Sequence, residues 1–554
     1  MTTATDKATG GRAVAARPPI GDLTAGTAAL TRYALHRDRI MLPVWVYVVL
    51  IGTASNAFTF ARLYKTAAQR ASLVATGESN PALLFLYGRL NGTSVGALTA
   101  WRYGVWAALF AALMSVFLVI RHTRADEESG RLELVGSARV GRHAPLLSAI
   151  GVAVIANLTL IVALAVVLPF LSLPVTGSAA LALATGACGL AFTGISAVAA
   201  QLTQSARAAR GIAIGALGAS FLLRAVGDSA GAGGPSWLTW AGPLGWTEVI
   251  RPFADERWWA LLLPLAVFAV GVGVAFALAA RRDIGAGILP ERPGGPAASA
   301  ALRGPLTLAW RLQWPALGAW IAGYLILFAV CGAAAKGIGQ LVGTSGALRT
   351  EFTRLGGQTA IVNAYLAGLM LLAGLGAAGY GVATVLRLRA EESAGLAEPV
   401  LAGVCGRVRW GLSHLLVAVA GMAGLLAAGG VATGLGYGVR AGGVGHEVAA
   451  LLGASVAELP AALVIVAVAA CGFGLTGSGA VAIGWTALGL TVALSLFGTV
   501  LQLSHWVLDV SPFTHSPHLP GGSVSAAPLL WLAGIGLALT AAGLAALRHR
   551  DITG

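Results

Sequence analysis

The stretch Arg124 to Arg142, RADEESGRLELVGSARVGR, returns 265 residues later as Arg389 to Arg407, RAEESAGLAEPVLAGVCGR. Eight of the nineteen positions are identical without a gap, among them Glu127/Glu392, Gly130/Gly395, Glu133/Glu398 and Arg142/Arg407. Each copy follows the second long apolar segment of its half, so the chain reads as two copies of one unit. A second signature agrees: Arg282-Asp283-Ile284 closes the first half and Arg550-Asp551-Ile552 the second, 268 residues apart. The repeated stretch is also dense in acidic side chains, which marks it as the surface to meet a partner.

With 57% hydrophobic residues, 10% charged residues and 76 glycines in 554 positions, the chain carries more apolar side chain than a soluble core encloses. Apolar runs of about 18 to 25 residues recur along it, long enough to cross roughly 30 Å of hydrocarbon as helices. Lipid offers no partner to an unpaired backbone amide, and the runs lack the alternation of a barrel strand, so helices are expected. The expected spans lie near 41–61, 101–120, 144–172, 178–203, 211–228, 258–280, 316–335, 361–386, 411–437, 455–473, 479–500 and 527–547. The predicted fold is an all-α integral membrane protein. Its twelve transmembrane helices form two tandem six-helix halves related by a pseudo-two-fold axis along the membrane normal. Glycine and alanine are abundant in the spans and permit close helix packing.

The domain expectation is a disordered cytoplasmic tail over 1–27, a first six-span half over 28–284, a Pro/Gly/Ala-rich cytoplasmic linker over 285–305, and a second half over 306–554. Arginines such as Arg32, Arg37, Arg121, Arg124, Arg142, Arg207, Arg210, Arg281 and Arg282 fall on one side if each half has six spans, which places both termini in the cytoplasm of a bacterial cell. Leu30, Tyr33, Ala34 and Arg37 before the first span, and Leu308, Ala309, Leu312 and Trp314 before the seventh, have the spacing of short amphipathic helices on the membrane surface. The net charge of +14 is spread along the span flanks rather than gathered on one face, so it implies membrane lipids and no nucleic acid. The four cysteines sit singly, without disulfide or metal spacing.

In the first copy Asp126, Glu127, Glu128 and Glu133 sit in a helix-prone segment, and carboxylates beside arginines give a partner directional contacts. The segment resembles the coupling helix of permease subunits of type-2 ABC exporters, whose first intracellular loop carries an acid-acid-x-x-Gly-x-x-Glu pattern. Here the pattern stands as Glu127-Glu128-Ser129-Gly130 to Glu133, and as Glu391-Glu392-Ser393-Ala394-Gly395 to Glu398. Taken this way, the second copy has one more residue between its second acid and its glycine, and Pro399 stands where the first has Leu134. Two unequal docking knobs are expected. The subfamily most similar is the duplicated twelve-span permease of actinobacterial polyketide-antibiotic and multidrug exporters, which PLGWTEVIRPFADERWW (243–259) and WVLDVSPFTHSPHLPG (506–521) also support. The resemblance implies that Glu127, Glu128, Gly130, Glu133 and Arg142, with Glu391, Glu392, Gly395, Glu398 and Arg407, couple to the ATPase. It also implies two copies of a cytosolic ABC ATPase as partners.

The two outer loops hold the candidates for an extracellular gate, Pro243, Trp246, Pro512 and Phe513. Polar residues inside spans are functional candidates by default: Asn157 and Asn363 are expected to face a substrate cavity. Arg224 and Asp228, one turn apart, are expected to pair with each other, and Glu458 is the one acid placed within an apolar segment of the second half. No G-x-x-x-x-G-K-[ST] occurs and the only lysines are Lys7, Lys65 and Lys336, so ATP and Mg would be bound by a separate subunit and no cofactor by this chain. No hydrolase or protease motif occurs either, and no catalytic residue is expected. The expected function is a permease that exports amphipathic or hydrophobic small molecules. The alternative is a proton-coupled secondary multidrug transporter, which would need a chain of intramembrane acids that the spans do not supply.

Overall fold

A computed structural model describes residues 23–136, 140–229, 235–283, 285–289, 297, 302–344, 357–403, 405–497, 503–523 and 525–551. Every regular element among them is helical. The chain splits into two compact units, 1–293 and 294–554. Most of the expected tail and linker, and the Ile of each Arg-Asp-Ile signature, lie outside the described residues.

In the first unit, α1 (Thr27–Arg37) leads into α2 (Met41–Leu63), followed by α3 (Val95–Arg121), the short α4 (Arg124–Glu128), α5 (Ala144–Phe170), α6 (Val175–Leu202), α7 (Ala206–Ser229), the loop helix α8 (Pro243–Val249) and α9 (Leu262–Ala279). In the second unit α10 (Pro305–Thr344) and α11 (Gly357–Val385) precede the short α12 (Arg387–Ser393). Then come α13 (Arg407–Ala441), α14 (Val444–Val456), α15 (Leu459–Thr476), α16 (Ala480–Phe497) and α17 (Ala526–His549). Eleven stretches among the described residues are long and apolar enough to cross a membrane. The count is one fewer than the twelve expected because α14 to α16 run on as a single stretch, Val444–Leu496, in which the expected spans near 455–473 and 479–500 both fall.

The interior of the first unit is α6, whose small side chains let α3, α5, α7 and α9 pack around it. At the crossing of α6 with α9, Gly194 lies against the backbone of Phe268 and Gly271 against that of Gly194, so a Cβ on either glycine would strike main chain. The second unit repeats the device where α15 crosses α17, with Gly474 against Gly543 and Gly543 against Cys471. Edge helices instead turn large apolar side chains outward, as Val44, Tyr47, Ile51 and Phe58 do on α2, which is the arrangement lipid favours and water penalises.

The two lead segments differ. Residues 27–37 form a separate helix whose Ala34 is buried and whose Thr31 hydroxyl donates to Ser148 at 3.2 Å, so it packs on α5. Leu308, Ala309, Leu312 and Trp314 do not form a separate surface helix. They belong to the first turns of the 40-residue α10, which continues through Pro315.

Candidate functional site

The two repeated signatures meet in space. In the first unit Arg282 Nη2 donates to Glu127 Oε1 at 2.6 Å, and Arg124 Nη1 donates to Glu127 Oε2 at 2.6 Å. In the second, Arg550 donates to Glu392 Oε2 at 3.0 Å and Arg389 lies 3.5 Å from the same oxygen. Each unit therefore closes the same Arg–Glu–Arg latch, between the acidic loop and the end of its last span. The capping arginine recurs as well: Arg142 donates to the Arg282 carbonyl at 2.8 Å, and Arg407 to the Arg550 carbonyl at 2.7 Å. Cations at helix C-termini satisfy carbonyls left without an intrahelical donor.

The latch is buried. The Arg124 side chain is fully buried, and its remaining nitrogens donate to the carbonyls of Ala200 at 2.6 Å and Ala286 at 2.7 Å. The Glu392 side chain is likewise buried. A charge taken out of water costs several kcal/mol unless its partners are in place; around Glu127 both carboxylate oxygens are met, whereas among the described residues the buried Glu392 Oε1 and Arg550 Nε find no hydrogen-bond partner. Of the acids expected to offer a partner directional contacts, Glu127 and Glu392 instead hold the loop to its own unit. Asp126 is tied to Arg37 at 2.8 Å, and Glu391 to Arg387 at 3.2 Å and to His414 and Trp410 at 3.3 Å. Glu128 accepts from the Ala206 amide at 3.2 Å, capping α7, yet remains exposed, as do Glu133 and Glu398. Beneath the first loop lies a cavity of about 550 Å³ lined by Glu127, Leu132, Arg142, Leu146, Gln201 and Arg282.

The latch also corrects the expected spacing. Glu392 occupies the place of Glu127, so Gly130 and Gly395 each follow the latch acid by three residues; each has φ of +69° and donates its amide to that acid's carbonyl, at 3.0 and 3.1 Å. No residue is inserted in the second copy, and Glu391 corresponds to Asp126. The motif was misaligned because adjacent acids invite either register. Left-handed φ favours glycine because a Cβ would crowd the carbonyl, so both turns depend on that residue.

At the other end of each unit the two copies part. Arg224 does pair with Asp228, at 3.4 Å, but it also donates to Glu248 at 3.0 Å and to the Phe85 carbonyl at 2.7 Å. Glu248 and Phe85 gave no sequence signal, because one sits in a loop helix and the other contributes only its backbone. Burial raises the Glu248 carboxyl well above the ordinary range and Asp228 pushes it further up, against the pull of Arg224. The second unit has hydroxyls there: Ser495 bonds Ser511 at 2.9 Å, and Ser516 donates to the buried Glu458 at 2.7 Å.

The outer-loop candidates sit inside their own units. Pro243 is buried at the start of α8, and Trp246 donates to the Trp240 carbonyl at 2.7 Å. Pro512 and Phe513 are buried, with the Phe513 ring against Gly374 and Glu458. Phe253, which follows a proline as Phe513 does, fills the matching place against Gly96 and Gly177; only that Pro-Phe pair hinted at it. Asn157 does not face a cavity. It is fully buried, donates to Ser115 at 2.8 Å, and leaves no room for a side chain at Gly189. Asn363 lies half-buried beside Gly521 of the second outer loop.

A family model described as "Multidrug efflux system permease Rv1217c, C-terminal domain" matches residues 302–548. The multidrug efflux system permease protein Rv1217c of Mycobacterium tuberculosis (strain H37Rv) is 40% identical over 536 residues, covering 97% of this chain and 97% of that protein.

Proposed function

This chain belongs to the family of multidrug efflux system permeases, and on that premise we propose that it is the membrane-spanning subunit of an ATP-driven ABC exporter. Two copies of a separate cytosolic ATPase would bind ATP and Mg and dock on the acidic loops at 124–142 and 389–407. The complex would sit in the bacterial cell membrane with both termini cytoplasmic, and would move amphipathic or hydrophobic small molecules outward. The observation that carries this is the twin latch: two identical ATPase subunits need two corresponding footholds, and each unit holds its acidic loop by the corresponding Arg–Glu–Arg contacts. Glu128 and Glu133 in one loop and Glu398 in the other are left exposed to meet a partner. Nucleotide-driven closure of the ATPase pair would press on both loops and rock the two halves between inward- and outward-open arrangements.

Purified alone in nanodiscs, the chain is expected to hydrolyse no ATP above background. Reconstituted with its ATPase, the Glu128→Lys/Glu133→Lys variant and the Glu398→Lys variant should each lower ATP-driven export at least roughly tenfold, the cost of about 1.4 kcal/mol of lost partner binding, while the protein still purifies folded. Normal export and normal co-purification with the ATPase in both variants would overturn the docking assignment.

A further inference from the structure

At the end of α3 opposite the acidic loop, the first unit holds a polar cavity of about 180 Å³, lined among others by Arg89, Asp228, Trp240, Glu248, Arg251 and Arg257. Its two acids each face an arginine: Asp228 lies 3.4 Å from Arg224 and 4.0 Å from Arg89, and Glu248 Oε1 lies 3.0 Å from Arg224, while Glu248 Oε2 has no hydrogen-bond partner among the described residues. Arg251 and Arg257 have no ion-pair partner among the described residues. The loop that brings these two arginines together is held in shape. The Arg257 amide donates to the Ile250 carbonyl at 2.9 Å, and Arg251 and Phe253 take φ of +54° and +63°, a conformation non-glycine residues seldom adopt. Phe253 anchors that loop against Gly96 and Gly177. Trp240 stacks on Trp259 with centroids 6.0 Å apart, and both are substantially exposed, as rings at headgroup depth are.

From the uncompensated guanidiniums, the size of the cavity and its aromatic wall, we infer that this cavity binds a phosphate group through Arg251 and Arg257. Guanidinium forks match phosphate oxygens in pairs, which a point charge cannot do. The phosphate could be carried by a phospholipid headgroup or arrive free, since both present the same oxygens. Among the described residues the second unit places serines and Glu458 at the corresponding end, and its outer loop 506–521 carries no arginine. This inference does not depend on ATP coupling.

The test uses the full chain in detergent, with native mass spectrometry to count retained phosphatidylglycerol and thermal unfolding to follow titration with inorganic phosphate. The native chain is expected to retain the lipid or to shift its unfolding midpoint with phosphate. The Arg251→Gln/Arg257→Gln variant should bind roughly fivefold or more weakly, the loss of about 1 kcal/mol or more of charge-assisted bonding. The Arg62→Gln/Arg281→Gln variant should match the native chain. Lipid retention that phosphate does not displace identifies a headgroup site, and a phosphate shift without lipid retention identifies a free-anion site. If the glutamine variant fails to fold, the Arg251→Lys/Arg257→Lys variant keeps the charge but loses the forks, and should bind less tightly than the native chain. Neither lipid nor phosphate bound by the native chain, or equal binding by the native chain and the folded variants, would overturn the site.

Discussion

The acidic-loop end and the opposite end of each unit have fared differently since the duplication. At the loop end, Arg124–Glu127–Arg282 and Arg389–Glu392–Arg550 are the same latch, with the same left-handed glycine three residues on. At the opposite end, a buried cluster of Arg224, Asp228 and Glu248 in one unit stands against hydroxyl contacts around Ser511 and Glu458 in the other. An end held through buried charge cannot be changed one member at a time, because removing Glu127 strands the buried Arg124 and removing the arginines strands the buried Glu392. The opposite end is not held alike in the two units.

The most damaging changes should be those that break a latch. Glu127→Lys and Glu392→Lys each put a third cation against two arginines at a buried or largely buried position and should cost about 3–5 kcal/mol, seen as lost yield of monodisperse protein and a lower thermal midpoint. Near-equal losses are expected from the two, and tolerance of one reversal alone would show that the latches are not equivalent. Next in size, Arg224→Leu strands Asp228 and Glu248 and should cost about 3 kcal/mol, whereas Ser511→Ala at the matching end of the second unit removes neutral hydrogen bonds worth about 1 kcal/mol. Equal losses there would erase the difference between the outer ends.

A smaller effect separates the ends by pH. The carboxyl of Glu248 is raised in the folded protein, so its favourable contribution is complete below the ordinary carboxylate range and disappears as pH rises through the raised value. Thermal midpoints of Glu248→Gln, which cannot ionise, should therefore gain on those of the native chain as pH rises. A Glu248→Gln midpoint that falls relative to the native one, or keeps a constant offset from it, as pH rises would contradict the burial of that carboxyl. The smallest effect is expected from Pro399→Leu. Pro399 is exposed in the first turn of the helix Ala397–Leu401, where a missing amide goes unnoticed, so stability should move by less than about 0.5 kcal/mol. A larger gain would mean that the proline does distort the second loop.

The spans and the duplication were legible because hydrophobic length and repetition are properties of contiguous sequence. The latch was not, although both of its halves carry a repeated signature: nothing in the sequence says that Glu127 and Arg282, 155 positions apart, are brought together. That some loop acids turn inward rather than toward a partner has a physical reason. Where a short helix packs across the ends of several spans, its carboxylates meet arginines that would otherwise face apolar surroundings, as Glu127 meets Arg124. The same blindness to partners assigned Asn157 to a cavity, when a serine and a glycine on neighbouring helices enclose it. Arg224 and Asp228 were found because their pairing is local to one helix.

The glycine crossings bear on how a unit can move. In the first unit α6 and α9 touch main chain to main chain at Gly194 and Gly271, and their ends are joined again where Arg124 holds the Ala200 carbonyl and, through Glu127, Arg282. A pair of rods fastened at two separate heights can neither swivel about the other nor slide past it. Any displacement applied to the loop must therefore be delivered to both helices together, as one stiff beam rather than as the bending of a single rod.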